Sequence, residues 1–348
     1  MSKRLGFFTR LTDHGGDPGG PTAYRLALEQ FVVAEQLGYQ VGWVAQHHFD
    51  AVEGGLPAPL VFLSTVAART SAIRLATGII TLPLEDPIRV AEDAAVLDAL
   101  SGGRLELGFG TGGSPAAFAA FGRDSSARSE LFTAHFDRVV AALSGAELAG
   151  PGRVLVPRGQ RLLTDIWQAT FSVHGGRRAG LAGTGLLLSR TQPRPENQPH
   201  APLAEVQEPV VRAYRAALPA GVPARIGASR SVFVGLDREK VRAAARAGVR
   251  AFADHLAATG QPVPAGDEDD LLTALDVHCG TPDEVVATLL ADPVVTQATD
   301  LIFQVHPADP GQRATLESLE LIATAVAPHL GWRPGPAAAE ATTERTAR

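Results

Sequence analysis

The chain has 348 residues, of which 45% are hydrophobic and 20% are charged, and its formal net charge is −6. This composition is typical of a soluble globular protein, long enough for one large α/β domain or two ordinary ones. The acidic balance argues against a general nucleic-acid binder, which needs a basic face. A single cysteine, Cys279, excludes an intrachain disulfide and a metal site built from cysteines alone.

The sequence also has no apolar run that is typical of a targeting or membrane-spanning segment. No stretch approaches about 18 consecutive apolar residues, so we expect no membrane span. The N-terminal segment MSKRLGFFTRLTDHGG has two early positive charges but no long apolar run. We therefore expect no signal peptide and a cytoplasmic location.

Strand-like and helix-like segments alternate along the chain. The predicted strands are Leu5–Thr9, Val41–Ala45, Ile73–Ile80, Arg104–Phe109, Ile166–Ala169, Leu186–Ser189, Arg225–Val234 and Asp300–Val305. The predicted helices are Thr22–Leu37, Pro59–Arg69, Pro87–Leu100, Ser126–Leu143, Gly176–Gly183, Leu203–Leu218, Asp237–Thr259 and Gln312–Ala327. Two helix starts have capping signals in the sequence. Asp86 precedes Pro87, and a capping box at Thr281–Glu284 opens a further helix.

Eight strands alternating with helices predict an α/β protein with a (β/α)8 TIM-barrel fold, and an open doubly wound sheet is the alternative. Typical barrels have about 250 residues, so we place loop insertions at the C-terminal face near 144–164, 190–202 and 260–278. Residues 1–333 are predicted to form one barrel domain, and residues 334–348 a disordered tail.

Active sites of such barrels lie at the C-terminal ends of the strands. Those ends are rich in polar residues and glycine here. They carry Thr9-Arg10, Gln46–His48, Thr77-Gly78, Gly108–Gly113, Thr170–Ser172, Ser189–Thr191, Ser229-Arg230 and Gln304–His306. The clustering predicts a functional site at this face of the barrel.

His47 and His48 follow the second strand. Adjacent strand residues point to opposite faces, so the pair cannot easily serve one metal ion, and we predict no metal site. One imidazole is expected in the cavity as an acid, a base or a hydrogen-bond donor, since its pKa near neutrality allows each role. The alternative is that both histidines pack structurally.

Glycines mark two loops at the same face. Residues 108–113 match G-x-G-x-x-G, but they lie in the fourth unit and no acidic strand end follows. The glycines therefore favour a loop that passes close to a bulky ligand over a dinucleotide site. Residues 172–178, SVHGGRR, place N–H groups at a helix start beside Ser and Arg, which suits a phosphate. An ordinary glycine turn explains them equally well.

Two further chemistries are disfavoured. Lys3 precedes the first strand and Lys240 lies inside a helix, so neither serves as a Schiff-base lysine at a strand end. Cys279, just before a capped helix, is expected to be buried packing, with a reactive thiol as the alternative.

Two blocks carry a family resemblance. They are WVAQHHF (43–49) and ATGIITLPLEDPIRVAEDAAVLD (76–98), the latter continuing through SGGRLELG (101–108). Together they resemble the bacterial luciferase-like flavin monooxygenases, and residues 166–195 are similar to an FMN-dependent subgroup. The resemblance implies a (β/α)8 barrel that uses reduced FMN and O2, through a flavin 4a-hydroperoxide, to oxygenate a small organic substrate. It also implies a separate flavin reductase and a homodimer.

The resemblance leaves two other functions open. One is a deazaflavin-dependent hydride-transfer oxidoreductase on the same barrel, and the other is a non-catalytic flavin-binding protein.

Site residues follow from the same resemblance. It implies catalytic roles for His47, which matches the active-site histidine of the family, and for Gln46, which stands where Glu is common. Gly110 and Thr111 stand where luciferase has a reactive cysteine and a phosphate-binding arginine, and a non-proline cis peptide is expected at Gly78–Ile79. The residues expected to bind the cofactor are Thr77, Gly78, Gly110, Thr111, Thr170, Ser172, His174, Gly175, Gly176, Arg177, Ser189 and Arg190.

Overall fold

The computed structural model describes residues 2–11, 20–49, 54–195, 197–198, 201–258, 263–306 and 310–333. Its strands are β1 (Arg4–Thr9), β2 (Val41–Val44), β3 (Arg74–Thr77), β4 (Ile80–Thr81), β5 (Leu105–Gly110), β6 (Ile166–Ala169), β7 (Gly185–Leu188), β8 (Ile226–Val234), β9 (Val277–Gly280) and β10 (Asp300–Gln304). The predicted tail, 334–348, lies outside the described residues.

Helices connect these strands. They are α1 (Pro21–Gln36), α2 (Pro59–Ala67), α3 (Pro87–Leu100), α4 (Pro115–Ala120), α5 (Arg128–Ser144), α6 (Val173–Leu181), α7 (Leu203–Ala217), α8 (Arg238–Ala258), α9 (Glu268–Ala274), α10 (Pro282–Leu290), α11 (Pro293–Gln297) and α12 (Gln312–Leu321). The predicted caps are present: Asp86 accepts from the N–H groups of Ile88 and Arg89, and Thr281 forms a full capping box with Glu284.

The sheet closes on itself. Eight parallel strands follow the order β1, β2, β3, β5, β6, β7, β8 and β10, and β10 pairs with both β8 and β1. The predicted (β/α)8 barrel is therefore confirmed, and the open doubly wound sheet is wrong. The short β4 extends the ring beside β5, and β9 pairs with β8 outside it.

Three predicted segments differ from the structure. The third strand is divided, since β3 ends at Thr77 and β4 starts at Ile80, and the Gly78–Ile79 peptide between them is cis, as the resemblance implies. Helix α6 begins at Val173, before the predicted Gly176, because Ser172 caps it. The expected insertion at 260–278 is partly regular: it contains α9, which opens with a capping box at Asp267, and the start of β9.

The core follows the alternation of side chains along the strands. Leu5 and Phe7 of β1 join a large apolar cluster between the strands and the helices. A smaller cluster fills the barrel itself, where Trp43 of β2 and Trp167 of β6 meet edge to face with ring centroids 5.6 Å apart. The partly buried side chains above this pair are Phe8, Ile79 and Ala169.

A charged cluster occupies the opposite, N-terminal end of the barrel. Glu106 of β5 is 1% exposed and accepts from both Nη atoms of Arg4, at 2.7 and 3.1 Å, and from Trp167 Nε1 at 2.7 Å. Arg74 pairs with Glu106 as well. Burial by itself raises the pKa of Glu106, but Arg4 and Arg74 outweigh burial and hold it at about 2. These side chains fill the barrel floor, which leaves the C-terminal face for a ligand.

Candidate active site

The N-terminus of α6 forms one side of the C-terminal face. Ser172 is the cap, and its Oγ accepts from the N–H of Gly175 at 3.1 Å. Thr170, at the end of β6, supports this turn, because its hydroxyl accepts from the N–H of Ser172 at 3.1 Å. Ser172, Val173 and His174 are exposed, and the first N–H groups of a helix have no partner within it. The helix start is therefore able to receive a phosphate, as the spacing predicts.

The two glycines of this turn have packing roles. A Cβ at Gly175 would lie 1.9 Å from Thr170 Oγ1, and a Cβ at Gly176 would lie 2.7 Å from the carbonyl oxygen of Val210 in α7. Both glycines are buried inside α6. They are predicted cofactor contacts, and the structure shows them letting the helix start sit close to β6 and α7.

The two arginines of the turn separate. Arg177 is exposed on α6 near the helix start. Arg178 instead lies over the ring of Phe132, 4.2 Å from its centroid, and donates to Gln168 Oε1 at 3.0 Å. Arg177 is thus the cation of this pair that remains at the surface for a ligand.

The centre of the face is formed by small residues of β3, β4 and β5. A Cβ at Gly78 would lie 2.7 Å from the Phe8 ring, and one at Gly110 would lie 3.0 Å from the Ile79 side chain. The side chain of Ile79 therefore occupies the space beside Gly110. Thr77 is fully buried, and its hydroxyl both donates to and accepts from the backbone of Gly108, at 3.0 and 2.9 Å. That hydroxyl joins β3 to β5 and does not face the mouth. Thr111 is half-buried at the rim.

Gln46 is held by contacts on three sides. Its Oε1 accepts from the N–H of Thr81 at 2.6 Å, and its Nε2 donates to the carbonyl oxygen of Pro57 at 3.0 Å and to Glu85 Oε1 at 2.7 Å. The amide is 6% exposed and joins the loop after β2 to β4. Both ends of the Gln46 amide are therefore bound to protein groups, and its catalytic role stays a prediction.

His47 and His48 have separate surroundings. The N–H of His47 donates to Leu56 at 3.0 Å, and its half-buried ring lies beside Gly54 on the β1 side of the mouth. His48 packs edge to face on Phe121, with centroids 4.9 Å apart. The Nε2 of His48 is covered by protein and has no hydrogen-bond partner among the residues that the structure describes.

A third group of polar residues lies across β7, β8, β10 and β1. Arg190 Nε donates to Gln304 Oε1 at 2.9 Å, and its Nη1 lies 3.5 Å from the hydroxyl of Ser231. Arg10 Nη1 lies 3.5 Å from His306 Nε2. Burial, Arg190 and Arg10 together hold the pKa of His306 well below its usual range, so this imidazole is neutral at pH 7. Arg190 is a predicted cofactor contact, and the structure places its guanidinium with β8 and β10.

Ser189 lies directly after β7, the strand that pairs with β6. Its hydroxyl lies 2.9 Å from that of Thr191, and its carbonyl oxygen accepts from Gln207 at 2.9 Å. In the same loop, Gln192 Nε2 donates to the carbonyl oxygen of Phe171 at 3.2 Å, which joins the loop after β7 to the loop after β6. Arg194 fastens that loop to Asp276, just before β9.

The sequence does not single out Glu85, and it names His306 only as part of a polar strand end. Glu85 lies inside the block that carries the family resemblance, but nothing in its spacing points to Gln46, 39 positions earlier. His306 stands in a polar strand end, yet its neighbours Arg10 and Arg190 come from distant parts of the chain.

Outside the strand ends, the described structure shows few features that suggest a binding or catalytic site. A groove of about 540 Å³ lies between α1 and α12 on the outside of the barrel, away from the strand ends. No helix in the described ranges is long and apolar enough to cross a membrane. Within those ranges, no three His, Cys, Asp or Glu side chains are grouped to hold a metal ion.

A closed (β/α)8 barrel with polar side chains at the C-terminal ends of its strands is the architecture of many α/β-barrel enzymes. The family model described as luciferase-like monooxygenase matches residues 4–297. The chain belongs to this family, which confirms the predicted resemblance.

Curated relatives agree with the family. The chain is 33% identical over 199 residues to 4-hydroxyprotoasukamycin monooxygenase of Streptomyces nodosus subsp. asukaensis, covering 54% of this chain and 53% of that protein. It is 26% identical over 338 residues to limonene 1,2-monooxygenase of Rhodococcus erythropolis, covering 93% and 86%. The chain spans about half the length of the first curated relatives that it matches.

Solved structures share the fold. Monooxygenase RslO1 from Streptomyces bottropensis has a TM-score of 0.74 at 22% identity, covering 94% of this chain and 99% of that one. The oxygenating constituent of 3,6-diketocamphane monooxygenase from Pseudomonas putida, in complex with FMN, has a TM-score of 0.72 at 18% identity. This match covers 94% of this chain and 98% of that one. The coenzyme F420-dependent tetrahydromethanopterin reductase of Methanopyrus kandleri has a TM-score of 0.64 at 18% identity. This match covers 95% of this chain and 100% of that one.

Proposed function

We propose that this protein is a monooxygenase that uses reduced FMN and dioxygen to oxygenate a small organic substrate. The observation that carries the proposal is the Ser172-capped start of α6, whose exposed N–H groups lie at the mouth of a luciferase-like barrel. Bound reduced FMN supplies the electrons that activate dioxygen, so that one oxygen atom enters the substrate and the other leaves as water.

The residues present fit a flavin mononucleotide. The start of α6 and exposed Arg177 suit its phosphate. The small residues Gly78 and Gly110 form the centre of the mouth, where the flat ring system would lie. The covered Nε2 of His48 and Nδ1 of His306 have no hydrogen-bond partner in the described part of the chain. A buried polar atom without a partner is costly, so a bound ligand that satisfies it gains affinity.

The monooxygenase names of two relatives favour this function over hydride transfer with a deazaflavin. A deazaflavin reductase shares the fold at a lower TM-score than the FMN-bound monooxygenase does, 0.64 against 0.72. The deazaflavin enzyme is therefore the second candidate, and oxygen dependence separates the two.

In this proposal His47 and His48 hold and move protons at the mouth, because an imidazole titrates near neutral pH. Two exposed aromatic side chains lie beside His48: Phe49 is 77% exposed and Phe121 is 44% exposed. Phe171, which is 52% exposed, follows β6 at the same face of the barrel. Exposed aromatic groups of this kind are typical of a surface that receives an apolar ligand and excludes water around it. We infer a small apolar substrate.

The phosphate turn is tested by comparing FMN with riboflavin, which lacks the phosphate. Ser172→Ala removes the cap, which costs about 1 kcal/mol, and disturbs the helix start. We expect this variant to bind FMN several-fold more weakly and riboflavin with unchanged affinity, as measured by flavin fluorescence quenching. Ser144→Ala, at the exposed end of α5, is the matched control. Equal losses for both flavins, or none, would contradict the assignment of the turn.

The remaining expectations stay predictions. They are a separate reductase that supplies reduced FMN, a homodimer, a cytoplasmic location and a single barrel domain over residues 1–333.

A further inference from the structure

Two side chains fix the peptide group that leads into the start of α6. This group consists of the carbonyl of Phe171 and the N–H of Ser172. The carbonyl oxygen accepts from Gln192 Nε2 at 3.2 Å, and the N–H donates to Thr170 Oγ1 at 3.1 Å. Because a peptide group is planar, holding both its oxygen and its hydrogen fixes its orientation. That orientation sets the direction in which the chain enters the capping residue Ser172.

Gln192 makes one well-defined contribution through its amide. The side chain is 3% exposed, and a carbonyl oxygen only accepts, so the atom beside the Phe171 oxygen is the NH2 group. The other amide atom, Oε1, is covered and has no partner among the residues that the structure describes. A buried oxygen without a donor costs stability. An apolar side chain of the same length would avoid this cost, so what the amide adds is its bond to Phe171.

Arg194 holds the segment that carries Gln192. Its Nη1 donates to the carbonyl oxygen of Gln192 at 2.6 Å, and its Nε donates to that of Ala201 at 2.7 Å. Its Nη2 pairs with the carboxylate of Asp276, just before β9. The second oxygen of Asp276 accepts from the N–H of Leu203, the first residue of α7, at 3.1 Å. Bonds of this kind are strengthened by the charge of the guanidinium, so they anchor the loop after β7.

The beginning of the same loop is anchored as well. Gln207 of α7 donates through Nε2 to the carbonyl oxygen of Ser189 at 2.9 Å, and the N–H of Gln192 donates to that oxygen at 3.3 Å. Gln207 is fully buried, and its Oε1 accepts from Arg230 of β8 at 3.0 Å. Gln192 is thus held from both sides along the chain, and elements of the barrel wall fix where its side chain meets the turn.

We propose that Gln192 is a positioning residue for the cofactor phosphate: held by the Arg194–Asp276 pair, it fixes the peptide group before Ser172 and so directs the first N–H groups of α6. This inference rests on the proposed FMN function, because it takes the start of α6 as the phosphate site. It goes beyond that function by making phosphate binding depend on the loop after β7. Riboflavin has no phosphate to meet these N–H groups, so the loop acts on FMN binding alone.

Gln192→Met tests the bond to Phe171, because it keeps the length of the side chain and removes the NH2 donor. We expect several-fold weaker binding of FMN and unchanged binding of riboflavin, measured by flavin fluorescence quenching. The melting temperature is expected to stay close to that of the parent protein, since the substitution also removes the unpaired Oε1. Gln198→Met is the matched control, because Gln198 lies in the same loop and is exposed, and it leaves both affinities unchanged.

Asp276→Asn tests the anchor at a distance from the turn. It keeps an oxygen for the N–H of Leu203 and removes the charge that pairs with Arg194. We expect a loss of FMN affinity in the same direction as in Gln192→Met, again with riboflavin binding unchanged. In the Gln192→Met background, the Asp276 substitution has no further effect on the ratio of the two affinities, as a double-mutant cycle requires when one residue acts through the other.

A measurement without cofactor separates this inference from the proposed function. Amide hydrogen exchange over residues 170–176, followed by mass spectrometry without flavin, is expected to be faster in Gln192→Met and unchanged in Gln198→Met. Faster exchange in Gln192→Met, together with a parent protein that binds no FMN, supports the fixing of the turn by Gln192 and contradicts the monooxygenase proposal.

Three results overturn the role of Gln192 where the parent protein binds FMN. They are unchanged hydrogen exchange at the turn, unchanged FMN affinity, and an equal loss of FMN and riboflavin affinity. If Gln192→Met does not fold, Asp276→Asn decides by the same three criteria.

Discussion

The charged floor of the barrel gives the most quantitative prediction. Glu106 is 1% exposed, and Arg4, Arg74 and Trp167 all donate to it. Holding its pKa at about 2 instead of 4.5 corresponds to about 3 kcal/mol of stability at pH 7. Glu106→Gln keeps the shape of the side chain and removes its charge. We expect this variant to lose about 3 kcal/mol of unfolding free energy, measured by urea denaturation at pH 7.

The pH dependence of this loss has a definite sign. Because the pKa of Glu106 is depressed in the folded protein, its stabilisation is fully present above pH 4.5 and is lost as the pH falls toward 2. The parent protein and Glu106→Gln therefore converge in stability over that window. Asp269→Asn, which removes the exposed partner of Arg246 on α8, is the control and changes stability little. A loss of less than about 1 kcal/mol of unfolding free energy in Glu106→Gln at pH 7 would refute this reasoning. A difference in stability between the two proteins that does not narrow in acid would refute it as well.

Two further substitutions test the mouth of the barrel. His47→Ala is expected to lower turnover much more than FMN affinity, because a proton-moving imidazole acts on the reaction and not on cofactor binding; the reverse pattern would contradict the role of His47. Gly175→Ala places a Cβ 1.9 Å from Thr170 Oγ1, so the start of α6 has to move, and we expect weaker FMN binding and a lower melting temperature. At Gly113 an added Cβ meets no atom within 4 Å, so Gly113→Ala is the matched control, and equal effects of the two would be evidence against the packing argument.

The barrel was predictable because its signals are local. Each β/α unit carries its own apolar strand and amphipathic helix, and helix starts such as Asp86-Pro87 and Thr281–Glu284 are read within four residues. The predicted start of α6 lies too late in the chain because the glycines of this segment are typical of a turn. In the structure they are helix residues, made necessary by the close approach of Thr170 and Val210.

The candidate site was only partly predictable because its contacts join distant segments. The strand ends identify the face, and the family resemblance identifies His47. The link from Gln46 to Glu85 crosses 39 positions, and that from Arg10 to His306 crosses 296. Neither link has a spacing rule, since both arise when the eight strands close into a ring.

The central claim is that the barrel mouth holds reduced FMN and uses it with dioxygen. The most direct measurement mixes anaerobic protein, loaded with reduced FMN, with oxygen in a stopped-flow spectrometer. We expect an absorbing species distinct from both reduced and oxidised FMN that outlives the reoxidation of free reduced FMN, because the exposed aromatic side chains Phe49, Phe121 and Phe171 at this face help to exclude water once a ligand is bound. Immediate return to oxidised FMN at the rate of the free flavin would contradict it.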